Sequence, residues 1–462
     1  MLSFFSIIQI IQFCHIKYFG ILISTSSLYL LEKEILDVSY EVMDLFISYF
    51  PILLTCVLSF VLIYKIYPTY PKENIKSTLG SILLIASSIL YVSIIDGQLD
   101  FTPNPTRFAF ENSIKTVCGY IYSKVGKIHK FNNYKAYSVE RIKPISNDPV
   151  TIVYILGESS NSEHMSLFGY DEDTTPNLRK MFQSGNVYCT VGIAGAVSTI
   201  SSCKFMCNAI REPDNIRQTS SDTTNLFRLA KESGFKTFYI SAQQNNLCSS
   251  VGGTPYIDVL ITRMRYPKEF SYQRDTFLLD IIDKQEFTDK NFVVIHQRCI
   301  HSPYRKTVPN SFCTPSRQIK HRDTLLYNNA MVYNDYVISS LFGKFNKSKN
   351  KFYIFWTSDH NELTGQNGLY GHGHLLLACA RIPIIIQSND QDFLCEIRKK
   401  HCLTHYDICS TIIGLFGMRI INPNEEKEIY YINGIDYDGK CGYIKIKIPQ
   451  NGDVTVRETI SK

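Results

Sequence analysis

The chain has 462 residues, too many for one average domain, so at least two units are expected. Its formal net charge is +6 with no dense basic block outside short tails. That gives no electrostatic case for nucleic-acid binding and leaves room for a weak attraction to an anionic membrane. The 30 Tyr and 28 Phe suit a large core or a membrane-facing surface.

Apolar residues are concentrated at the start of the chain. LSFFSIIQIIQFCHIKYFGILI is interrupted by His15 and Lys17. DLFISYFPILLTCVLSFVLIYKI (44–66) and STLGSILLIASSILYVSIIDG (77–97) are each long enough to cross ~30 Å of hydrocarbon. About three spans are therefore expected over 1–97, forming an α-helical transmembrane region. Lys65, Lys72 and Lys76 mark the loop between the second and third spans as cytoplasmic. Everything beyond about residue 98 then faces outward: a membrane-proximal, partly helical linker over 98–149 and a periplasmic or extracellular domain over 150–462. Most of the 14 cysteines fall there, including Cys203 with Cys207 and Cys395 with Cys402. Disulfides are compatible with that compartment, and buried free thiols are the alternative.

From residue 150 the pattern becomes one of short β-branched runs alternating with amphipathic helices. VTIVYILG, TFYIS (237–241), NFVVIH (291–296), KFYIFWTSD (351–359) and IPIIIQ (382–387) read as buried strands. TPNLRKMFQSG, TNLFRLAKESG, TFLLDIIDKQ and LYNNAMVYNDYVISSLFGKF read as helices. The alternation predicts an α/β domain with a largely parallel central sheet flanked by helices. Functional residues in such sheets gather beyond the carboxyl ends of the strands. Glu158 follows the first strand, His301 closes a segment after NFVVIH, and Asp359, His360, His372 and His374 follow KFYIFWTS. Carboxylates and imidazoles recurring at successive strand ends suit zinc, with other divalent ions as alternatives.

These residues carry a resemblance. GESSNSEHMSLFGYDEDTTPNL (157–178), HQRCIHSPY (296–304), YNNAMVYNDYV (327–337) and SDHNELTGQNGLYGHG together resemble the ordered motifs of the phosphoethanolamine transferases of the lipid A and lipopolysaccharide type. That family lies within the alkaline phosphatase and sulfatase superfamily. The resemblance covers roughly residues 100–440 and implies an alkaline-phosphatase-like fold. It also implies a multi-pass anchor in a bacterial inner membrane and a periplasmic catalytic domain. Carried over, Glu158, Asp359 and His360 match ligands of a catalytic zinc, a second zinc being an option. His301 and His372 match histidines serving the phosphate, the leaving group or that second ion. His374 has no counterpart.

The nucleophile in that family is a threonine, which would also be a metal ligand. In GAVSTISSCKF (195–205), aligning Ser-Thr-x-x-Ser selects Thr199, whereas an ungapped match from Gly195 selects Ser198. Thr199 is preferred and Ser198 stays open; both hydroxyls could instead cap a helix. The implied reaction moves phosphoethanolamine from phosphatidylethanolamine, through a covalent phospho-threonine, to a lipid A or core sugar.

Three alternatives remain. One is phosphoglycerol transfer. A second is a sulfatase using Cys313 of FCTPSRQ, although Cys313 also matches a disulfide cysteine of the transferases. The third is a non-catalytic relative, suggested by Asn361, Cys299 and Ser302 at positions where the family differs.

Overall fold

The computed structural model describes residues 135–213, 218, 221–243, 251–313, 324–347, 349–435 and 442–460, with scattered positions before 135. The three candidate spans fall largely outside the described residues. Among the described residues no helix is long and apolar enough to cross a membrane.

A seven-stranded sheet organises the domain. In chain order the strands are β1 (Ser138–Arg141), β2 (Val150–Gly157), β3 (Val187–Ile193), β4 (Lys236–Ser241), β5 (Val259–Thr262), β6 (Lys290–His296) and β7 (Lys351–Ser358). They continue with β8 (Leu363–Thr364), β9 (Tyr370–Gly371), β10 (Arg381–Ser388), β11 (Met418–Ile421), β12 (Ile429–Asn433), β13 (Tyr443–Lys447) and β14 (Thr455–Ile460). The sheet order is β3-β10-β7-β2-β6-β4-β5. Strands β7, β2, β6, β4 and β5 run parallel, and β10 is antiparallel to both of its neighbours. This is the largely parallel α/β sheet that the apolar runs imply, with one reversed strand that no residue pattern distinguished.

The strands read as nearly continuous apolar runs because both faces are covered. Val153 and Ile155 of β2 enter one core cluster, while Ile152, Tyr154 and Leu156 enter another. The first face is roofed by α1 (Pro176–Gln183), and the second by α2 (Thr199–Asn208) and α3 (Leu226–Glu232). Further along, α4 (Pro267–Gln273), α5 (Phe277–Asp283) and α6 (Thr324–Phe345) return to the first face, whereas α7 (Gln391–Arg398) and α8 (His405–Leu415) cover the second. A separate sheet, β12-β13-β14, closes one end. β1 lies inside the segment read as linker, and its antiparallel pairing with β11 ties the end of that segment to the α/β domain.

Among the described residues no disulfide forms, so the two pairs singled out in the sequence are not bridged. Cys203 and Cys207 sit one turn apart on α2, and Cβ atoms at that spacing are ~5–6 Å apart, too far for a bridge that needs ~3.8 Å. Cys395 is exposed and Cys402 half-buried, both unbridged, and the Cys313 thiol donates to the Pro309 carbonyl at 3.5 Å.

Candidate active site

The parallel register of β2 and β7 places Gly157 opposite Ser358. The chain passes so close there that a Cβ on Gly157 would stand 3.1 Å from the Thr357 carbonyl and the Trp356 ring. Glu158 and Asp359 therefore leave adjacent strands side by side. The turn after Glu158 is strained: Ser159 is buried with φ +49°, a conformation disfavoured for residues with a Cβ. Its N–H donates to Asp359 Oδ1 at 3.0 Å and its hydroxyl to Glu158 Oε1 at 2.8 Å. The Tyr327 hydroxyl of α6 pins the same turn, accepting from the Asn161 N–H and donating to the Ser159 carbonyl, both at 2.8 Å. The strain is thus offset by bonds to the ligand candidates themselves.

Four donor atoms converge. His360 Nε2 lies 3.1 Å from Thr199 Oγ1, 3.3 Å from Asp359 Oδ2 and 3.7 Å from Glu158 Oε1; Thr199 Oγ1 is 3.5 Å from Glu158 Oε1. The His360 Nδ1–H donates to the Asn361 carbonyl at 3.2 Å, which assigns the inward Nε2 as the lone-pair nitrogen. All four residues are buried, and Asp359 Oδ2 has no hydrogen-bond partner.

Burial, then the charge of Asp359, pushes the Glu158 carboxyl well above the usual carboxylate range; burial raises Asp359 too. Burial and the neighbouring His372 hold His360 far below its ordinary value, so it is neutral. Two buried carboxylates and a neutral imidazole aimed at one point, with one oxygen unsatisfied, are a donor set that fits a divalent cation.

A second grouping shares His360. The His372 ring stacks on His360 with centroids 4.2 Å apart, and His372 Nδ1 meets Glu362 Oε2 at 2.8 Å. His301 is buried, and its Nδ1–H donates to the Ser302 carbonyl. The structure thus brings Glu158, Thr199, Asp359, His360, His301 and His372 to one region. His374 Nε2–H instead donates to the Tyr370 carbonyl at 3.0 Å.

Ser198 and Thr199 diverge. Thr199 is the first residue of α2 and faces the cluster. The Ser198 hydroxyl turns away, donating to the Ile435 carbonyl at 3.1 Å and approaching Ser201 Oγ at 3.3 Å. It makes no capping bond, so helix capping does not account for it.

Two residues of the site, Gln243 and His405, went unseen in the sequence. Gln243, two residues beyond β4, donates through Nε2 to Glu158 Oε2 and to the Gln297 carbonyl, each at 2.6 Å. Its Oε1 accepts from Arg298 Nη1 at 3.2 Å, so the amide cannot flip without setting oxygen against carboxylate and NH2 against guanidinium. His405 opens α8 behind the cluster. Its Nδ1 accepts from the Gly195 N–H at 3.1 Å, and its Nε2–H donates to the Ser358 carbonyl at 2.9 Å. It therefore ties the turn before Thr199 to the strand end bearing Asp359. Only their position near strand ends and a helix start could have pointed to these residues.

The sequence model of the Sulfatase family matches residues 150–418, more than half of the chain, and the chain belongs to that family. Among curated relatives, it is 23% identical over 279 residues to the Kdo(2)-lipid A phosphoethanolamine 7''-transferase of Salmonella typhimurium, covering 54% of this chain and 46% of that protein. It is 24% identical to the phosphatidylethanolamine transferase Mcr-1 of Escherichia coli, covering 76% of this chain and 71% of that one. The chain spans about half the length of the first curated relatives it matches, 46% and 53%. The integral membrane lipooligosaccharide phosphoethanolamine transferase A of Neisseria meningitidis shares the fold, with a TM-score of 0.64 at 20% identity over 89% of this chain and 83% of that one.

Proposed function

We propose that this protein is a membrane-anchored, zinc-dependent phosphoethanolamine transferase. On this reading it takes the group from phosphatidylethanolamine and passes it to a lipid A or lipopolysaccharide sugar at the periplasmic face of a bacterial inner membrane. The observation that carries the reading is the Thr199 hydroxyl, buried at a helix start and facing His360, Glu158 and the unsatisfied Asp359 oxygen. The names of the relatives supply the transferred group and the acceptor class, and the apolar runs 44–66 and 77–97 supply the anchor.

Glu158, Asp359, His360 and Thr199 would hold the zinc ion, which when bound lowers the pKa of a coordinated hydroxyl and draws charge from phosphoryl oxygens. Thr199 Oγ attacks phosphorus while its proton passes to His301 or His372. The Oγ–P bond forms, the P–O bond to diacylglycerol breaks, and the histidine passes that proton to the departing alkoxide. The N–H groups that the first turn of a helix leaves unpaired would serve the phosphoryl oxygens at the start of α2. Gln243 holds Glu158 Oε2, leaving Oε1 toward the cluster, and His405 keeps Thr199 in register with Asp359. In the second half-reaction a sugar hydroxyl attacks phosphorus, its proton passes to a histidine, the Oγ–P bond breaks, and the same proton is returned to Thr199 Oγ.

Intact-mass measurement after incubation with phosphatidylethanolamine tests this. A phosphoethanolamine adduct should appear, persist in Ser198→Ala and vanish in Thr199→Ala. An adduct that survives Thr199→Ala and is lost in Ser198→Ala would reverse the assignment, and a phosphoglycerol adduct from phosphatidylglycerol would change the donor.

A further inference from the structure

The two most exposed large apolar side chains among the described residues are Tyr272 at 89% and Met264 at 69%, and they lie eight residues apart on one short segment. We propose that the turn Arg263–Tyr266 and the outer face of α4 are a lipid-surface contact that seats the catalytic edge of the domain on an anionic bilayer. The proposal rests on the membrane-lipid donor of the preceding reading.

Topology places this segment on the correct edge. β5 is parallel to β4, β4 to β6, β6 to β2, and β2 to β7. The residues that follow β5 therefore emerge on the same edge as Glu158 and Asp359. β5 stands three strand positions from β2 in the sheet, a lateral offset of roughly 14 Å at ~4.8 Å per strand. That is beside the catalytic cluster and separate from it.

Local packing decides which side chains face out. Tyr266 and Phe270, four residues apart, both turn inward onto Phe277, with ring centroids 5.6 and 5.1 Å away. Met264, Lys268 and Tyr272 repeat at the same spacing on the opposite side of the turn and helix, and all three are exposed. Between Val259 and Gln273 the exposed Arg265 and Lys268 and the half-buried Arg263 outnumber a single acidic residue, Glu269. Arg265 is exposed, its guanidinium 5.7 Å from the Tyr266 ring.

A long apolar side chain and an aromatic ring interleaved with Arg and Lys are the composition of an interfacial contact: the apolar groups enter the headgroup boundary while the cations meet anionic lipid. Single exposed apolar residues are ordinary on protein surfaces. Here the two extremes share one basic stripe at the catalytic edge, which chance exposure does not account for.

The single tryptophan, Trp356, is fully buried and donates to Gln297 Oε1, so its emission is a constant background that lipid quenchers do not reach and that is subtracted using the parent protein. Met264→Trp, and separately Tyr272→Trp, would be placed in the full chain in phosphatidylethanolamine vesicles containing phosphatidylglycerol with brominated acyl chains. Blue-shifted emission that loses most of its intensity to the brominated lipid is expected for both. The quenching should be lost when Arg265→Glu and Lys268→Glu are added, and absent from Tyr336→Trp on α6.

Unquenched emission at both positions overturns the proposal, and a blue shift without quenching does so by showing a protein cover. Quenching that survives the charge reversals also overturns it. The Thr199 adduct is measured on the same samples. Adduct without quenching defeats only the docking, and quenching without adduct defeats only the transferase reading.

Discussion

Replacing Gln243 with leucine removes a near-isosteric side chain whose amide holds one oxygen of Glu158. The bond lost is 2.6 Å long, buried and made to a carboxylate. Hydrogen bonds to charged groups contribute about 1.5–3 kcal/mol. Independently, partners that orient a metal-binding carboxylate are worth roughly 10- to 100-fold in metal affinity, about 1.4–2.8 kcal/mol. The two routes agree, so Gln243→Leu should weaken zinc binding roughly 10- to 100-fold. The Gln297 carbonyl also loses its 2.6 Å donor, so the metal-free protein should unfold at lower urea as well. Zinc competition against a chromogenic chelator reads the first effect and urea melts read the second. Because Arg298 fixes the amide, Arg298→Met should weaken zinc in the parent protein and add little to Gln243→Leu. A folded Gln243→Leu variant with unchanged zinc affinity would refute the reasoning, as would fully additive effects of the two substitutions.

Three other outcomes follow from the same geometry. Burial pushes the His405 pKa down from 6.5 to about 4. The unfolded chain takes up that proton as pH falls through about 6.5 and the folded chain only near 4, so stability is lost across that window by up to roughly 3 kcal/mol. Glu212, pushed up to about 7 by burial, works in the opposite sense as pH falls from 7, so the comparison must be between variants. The stability–pH slope of His405→Gln should be flatter by up to one proton between about pH 6.5 and 4, and equal slopes would sink the assignment. Native alkylation should label Cys395 before any other described cysteine, since Cys395 is exposed while burial pushes Cys189 and Cys207 up to about 12. Cys313→Ala should leave the Thr199 adduct intact, and aryl-sulfate hydrolysis abolished by that change would restore the sulfatase alternative.

The parallel strands were legible because each is buried on both faces, which leaves no charged residue inside Val150–Gly157 or Phe352–Ser358 and makes the first charged residue beyond them conspicuous. Glu158, Asp359 and His360 could be read in this way. β3 and β5 were missed because VYCTVGI mixes polar and apolar residues at one edge, and VLIT is four residues long at the other. The choice between Ser198 and Thr199 was beyond a sequence reading: adjacent hydroxyls at a helix start differ only in the direction the turn gives them. Gln243 was hidden for a related reason. An amide beyond a strand is common, and what sets this one apart is an arginine and a glutamate brought to it from elsewhere in the chain.

Glu158 and Asp359 are some 200 residues apart in sequence and meet only when β7 takes its place beside β2. Such long-range parallel pairing repays its loop-closure entropy late and folds slowly. A growing chain therefore lacks two of the four ligand candidates, Asp359 and His360, until β7 is made. The strand end bearing Asp359, the His405 that braces it and the Ile435 carbonyl that draws Ser198 aside are all synthesised in the last quarter of the chain. Fragments ending before β7 should have no tight metal site at all, so the centre assembles once, at the close of folding.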